Sequence, residues 1–110
     1  MDIKDLTMRQ IEEIKTGFAG SHPYKVGKNY LIRTSTMAQV GELAEVHQNE
    51  LLLKNASWVA DTGRFNKALS NGLESQNESE IELFGSEVVI GRSSIIDACI
   101  YNHPLPTENK

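Results

Sequence analysis

Two hydrophobic rhythms run along this chain, and the switch between them divides it. Near the start, Leu6, Met8, Ile11, Ile14 and Phe18 recur at the spacing of a helix buried on one face. Thr7 and Gln10 stand as in a capping box, and Leu6 and Ile11 as in a hydrophobic staple. A helix is therefore expected over residues 1–20, stopped by Gly17 and Gly20. From residue 29 the period falls to that of a strand. Tyr30, Ile32, Thr34 and Thr36 alternate with Leu31, Arg33, Ser35 and Met37, which predicts a strand leaving the core at its far end. Leu43 and Glu45 beside Ala44 and Val46 predict a second strand; His47, Gln48 and Asn49 read as a turn, and residues 50–56 as a third strand.

Beyond the third strand, residues 61–71 read as a short helix: Asp61 or Thr62 can cap it, Phe65 and Leu69 share a face, and Asn71 with Gly72 can end it. Residues 74–80 are polar and are expected to form a mobile loop. The β-branched segments 87–91 and 94–101 predict two more strands around a tight turn at 91–93. The tail, 102–110, carries two prolines and reads as extended or disordered. The expected architecture is mainly β with α: an N-terminal helix, then a strongly bent five-stranded barrel over 29–101, with the short helix between strands three and four.

Composition narrows the function. A chain of 110 residues supports one modest core, so a single domain over 1–110 is expected. Its formal charge of −4 opposes the generic phosphate attraction behind non-specific nucleic-acid binding. Cys99 has no partner for an internal disulfide and sits between apolar neighbours, as in a reducing cytoplasm. No leader sequence or bilayer-length apolar run is read, so membrane association is not expected.

Catalysis is not expected, nor any cofactor or metal. His22, His47 and His103 lie in three different loops without metal-ligand spacing, and no phosphate-cradling glycine motif is present. The candidate ligand site is ASWVADTGRF, residues 56–65. Asp61, Thr62 and Gly63 at a helix start offer backbone N–H groups and a hydroxyl, Arg64 adds a five-donor fork, and Trp58 or Phe65 a stacking face. Those parts suit a nucleotide-like or other anionic ligand. A structural reading stands beside it: Asp61 caps the helix, Trp58 and Phe65 are core, and Arg64 pairs with Asp61. Arg33, Thr34, Thr36 and Arg92 are secondary candidates.

Val40, Gly41, Leu43 and Val46 followed by Leu51, Leu53 and Ala56 resemble the first motif of the Sm-like family, and Val89, Ile90, Gly91, Arg92 and Ile95 the second. The resemblance implies a small barrel with an N-terminal helix, assembled into rings that bind RNA. His47 stands where that pattern has Asp, Leu51 falls at the nucleotide-binding position in place of Asn, and Gly91 and Arg92 reverse the usual order. With the acidic charge, these departures disfavour RNA. The strings KVGKNYLIRT, ASWVADTGRF and HPLPTE are also similar to small bacteriophage-encoded proteins of unassigned function, which implies a viral setting and the host cytoplasm. The leading expectation is a non-enzymatic, homo-oligomeric binding protein that sequesters a nucleotide-like defence signal. The alternatives are an inhibitor or adaptor of a host protein and, third, an Sm-like RNA-binding ring.

Overall fold

One strand organises the fold. The computed structural model describes residues 22–110, and the helix expected over 1–20 lies outside them. The described elements are β1 (Asn29–Thr34), β2 (Ala38–Val46), β3 (Glu50–Asp61), α1 (Phe65–Asn71), β4 (Glu80–Leu83), β5 (Val88–Gly91) and β6 (Ile95–Ile100). Short 3-10 turns cover Leu73–Ser75 and Arg92–Ser94. All strand pairings are antiparallel, in the order β4-β3-β2-β1-β6, and β5 also pairs with β3.

β3 has room for both partners because it is bent in the middle. Val40 of β2 pairs with Ser57 and Glu42 pairs with Lys54, so Asn55 and Ala56 together oppose Gly41. This is a β-bulge, and Asn55 takes the left-handed conformation (φ 51°) that the extra residue requires. Before the bulge, Glu50 to Leu53 pair with β5; after it, Ser57 to Asp61 pair with β4. The bulge needs close backbone approach: a Cβ at Gly41 would lie 3.0 Å from Ala56 Cβ and 3.2 Å from Leu53 Cβ.

Both faces of the sheet bury apolar side chains. Tyr30, Ile32, Leu43, Leu51, Leu53, Ala56 and Ile90 form one cluster; Leu31, Val40, Val59, Ala68, Leu73, Ile81 and Tyr101 form the other, under α1. Neighbouring positions of β1 serve opposite clusters, as the pleat dictates. Burying each such aliphatic side chain contributes about 1.5–3 kcal/mol.

The expected closed barrel is not formed: the sheet is open and has six strands. Among the described residues, β5 pairs only with β3 and β6 only with β1, and the 3-10 turn Arg92–Ser94 redirects the chain between them. Closure would require those two strands to pair. The additional strand, β4, is the EIEL segment after the polar run. That run is tied down: Ser79 Oγ donates to Leu73 O (2.7 Å), and Lys110 Nζ donates to Ser79 Oγ (2.8 Å) and Glu74 O (3.1 Å). The tail is extended and docked, with Ile81 and Lys110 exchanging backbone hydrogen bonds (3.0 and 2.8 Å) along the outer edge of β4. Among the described residues, no helix is long and apolar enough to cross a membrane.

Candidate functional site

Trp58 lies inside β3, paired with Gln39 on one side and Glu82 on the other. Its neighbour Val59 points into the cluster beneath α1, where Phe65 also packs. By the strand alternation Trp58 faces the opposite side, so the two rings do not form one stacking platform.

The turn between β3 and α1 is closed by its own polar groups. Asp61 Oδ1 accepts from Gly63 N (2.8 Å), and Thr62 Oγ1 donates to Gly63 O (2.9 Å). Arg64 N donates to Gln76 Oε1 (2.9 Å), while Gln76 Nε2 donates to Thr62 O (2.7 Å) and Arg64 O (3.2 Å). Two N–H groups that would meet an anion are thereby occupied. Gly63 is at φ +66°, and a Cβ there would stand 2.7 Å from Gln76 Oε1, so only glycine fits under the clamp. The N-cap position of α1 is Arg64, which gives no side-chain cap, so neither Asp61 nor Thr62 caps the helix. The Arg64 guanidinium makes no ion pair with Asp61. Gln76, within a run expected to be mobile, is the residue that sequence reasoning missed.

The secondary candidates separate in the same way. Arg33 Nε donates to both oxygens of Asp97 (2.9 and 3.1 Å), its Nη2 bonds Oδ2, and the guanidinium lies 4.1 Å from the Phe65 ring centre. The hydrogen bond from Arg33 holds the Asp97 carboxyl below its ordinary range and raises the guanidinium in turn. Thr34 Oγ1 closes the β1–β2 turn by donating to Met37 O and accepting from the N–H groups of Thr36 and Met37. Arg92 Nη1 donates to the carbonyls of His47 (2.9 Å) and Gln48 (3.2 Å), joining the β2–β3 turn to the β5–β6 junction. The histidines are also engaged: His22 Nδ1 accepts from Tyr24 N, His47 meets Glu45, and His103 Nε2 donates to Leu69 O near the end of α1. Among the described residues, no cluster of His, Cys, Asp or Glu could hold a metal ion.

The recess with open chemistry lies over the bulge. A cavity of about 750 Å³ is bounded by Glu42, Lys54 and Asn55 on the bent strands, Leu83 at the end of β4, Glu87 on the β4–β5 connection, and Leu105 on the tail. Glu42 and Lys54 are cross-strand neighbours, yet they form no ion pair. Their side chains, and that of Asn55, have no hydrogen-bond partner among the described residues. A carboxylate, an ammonium and a carboxamide thus converge unspent on one cleft. Residue type and spacing single out none of the three in the sequence; the available signal is an Asn beside a Lys in the middle of an otherwise apolar strand. Comparison with protein-family models, curated proteins and solved structures finds no match to this chain.

Proposed function

We propose that this protein is a non-enzymatic binding protein whose ligand, a small polar molecule of nucleotide size, lies in the cleft over the β3 bulge. The observation that carries the reading is the convergence of unpartnered Glu42, Lys54 and Asn55 on a cavity of about 750 Å³. That volume falls within the range of roughly 300–1,000 Å³ that encloses small ligands. Lys54 supplies one cation for an anionic group, and Glu42 and Asn55 accept from the donors of a base or sugar. In a viral setting, such a protein would withdraw a signalling nucleotide from the host cytoplasm.

A nucleotide panel screened by thermal unfolding tests this. One member, at about 100 times its dissociation constant, should add about 2.7 kcal/mol of stability. Lys54→Ala should remove that gain while leaving the melting temperature of the ligand-free protein unchanged. A panel without effect, or full binding by Lys54→Ala, refutes the reading.

Self-association accompanies this proposal. Among the described residues, the outer edges of β5 and β6 are unpaired, and Val89, Ile96 and Ile100 on these strands are 59%, 67% and 37% exposed. Free strand edges with apolar side chains invite a second copy. Native mass spectrometry should report an oligomer that Ile96→Lys dissociates; a monomer at micromolar concentration removes this part.

A further inference from the structure

Gln39 occupies a position that β-sheets rarely give to a carboxamide. It pairs with Ile32 of β1 and Trp58 of β3, is 8% exposed, and its Oε1 is buried without a hydrogen-bond partner. Buried polar groups are normally satisfied, but this oxygen is sealed from solvent without a partner, and no hydrogen bond holds the carboxamide from turning. Beside it, a cavity of about 190 Å³ opens between the β1–β2 turn and the β5–β6 junction. Its walls are Thr34, Thr36, Met37 and Gln39 on one side and Val89, Ile90, Gly91 and Ser94 on the other. It shares no residue with the cleft over the bulge.

The chemistry of that lining selects its ligand. No wall residue is charged, which leaves an ionic group without compensation for its lost hydration. Ile90 gives a buried apolar floor, and Met37 and Val89, both partly exposed, give apolar sides. Thr34 Oγ1 is committed to its turn, but the Thr36 hydroxyl has no partner among the described residues. Ser94 Oγ donates to Gly91 O (2.7 Å) and keeps its lone pairs to accept. Turning the Gln39 carboxamide about its last torsion exchanges oxygen for nitrogen, so the residue can accept from or donate to a molecule in the cavity.

We propose that Gln39, with Thr36 and Ser94, forms a second binding site that takes a small uncharged amide, a planar group with N–H beside C=O, packed on Ile90 between Met37 and Val89. The amide can belong to a ring lactam or to an open carboxamide. Both present the same donor and acceptor pair to the same three side chains.

The test uses the full chain with uracil as the lactam probe and nicotinamide as the carboxamide probe. Titration by ¹H–¹⁵N correlation spectroscopy should shift the Gln39 side-chain amide and the backbone amides of Thr36 and Ser94 saturably with at least one of them. The tighter probe identifies the source. Gln39→Leu should weaken binding at least tenfold, whereas Lys67→Ala, on the exposed side of α1 and outside both cavities, should bind as the natural protein does. If neither probe saturates, or if Gln39→Leu binds unchanged, the site does not exist. Should Gln39→Leu fail to fold, Thr36→Val serves in its place: about fivefold weakening supports the site, and unchanged affinity overturns it.

Discussion

Replacing Gln76 by Ala removes three hydrogen bonds from the turn that links β3 to α1, to Arg64 N, Thr62 O and Arg64 O. At about 0.5–1.5 kcal/mol net each, the three contribute about 1.5–4.5 kcal/mol. Two of them are exposed, where water replaces the lost partner, so the lower half of that range applies. The variant also no longer orders a long side chain, which returns up to about 1.5 kcal/mol of rotamer entropy. The expected net loss is about 1–2 kcal/mol, a fall in melting temperature of about 4–8 °C for a domain of this size. Calorimetry or circular dichroism of the ligand-free protein measures it. A double-mutant cycle sharpens the test. Gly63→Ala is strained by its positive φ in either background, but its collision with Gln76 Oε1 disappears once residue 76 is Ala. The two losses should therefore sum to more than the double mutant shows. An unchanged melting temperature for Gln76→Ala, or strict additivity, would refute the clamp.

Tyr101→Phe leaves the buried N–H of Leu73 without its acceptor, the phenol oxygen at 2.8 Å, and should cost about 1–3 kcal/mol in chemical denaturation. Burial raises the Tyr101 phenol above its ordinary range, so its contribution is present below about pH 10 and lost as pH rises through the folded value. Absorbance at alkaline pH should show one tyrosine ionising late, together with unfolding. The Asp97 carboxyl is depressed by Arg33, so its contribution is present above about pH 4 and lost as pH falls through the lower folded value. Arg33→Met should return the Asp97 titration, followed by carbon NMR, to the ordinary carboxylate range.

Local rhythm carries much of the secondary structure. The period-two pattern in NYLIRT marks β1, and Phe65, Leu69, Asn71 and Gly72 mark a helix that runs over Phe65–Asn71. β3 is longer than the pattern indicates because Ser57 points inward. A polar residue at an interior position mimics the end of a strand, and its burial depends on β2 and β4, which lie distant in sequence. The same blindness hides Gln39. The expected nucleotide pocket at Trp58 and residues 61–65 has the right residue types, but the hydrogen bonds of Asp61, Thr62, Gly63 and Arg64 turn inward to Gln76 and to one another. Composition lists donors; it does not say which are already used. The expected barrel closure fails for a similar reason, since β-branched segments at 87–91 and 94–101 indicate strands without naming their partners.

The bent β3 has a consequence for how the molecule comes apart. Leu51 and Leu53 anchor one apolar cluster and Val59 the other, yet all three belong to one continuous strand. Neither cluster can melt without releasing a length of backbone that the other needs. The two clusters should therefore share one opening free energy, and the amides of Leu53 and Val59 should exchange with solvent deuterium in a single concerted event. A chain with two small cores would then unfold as if it had one.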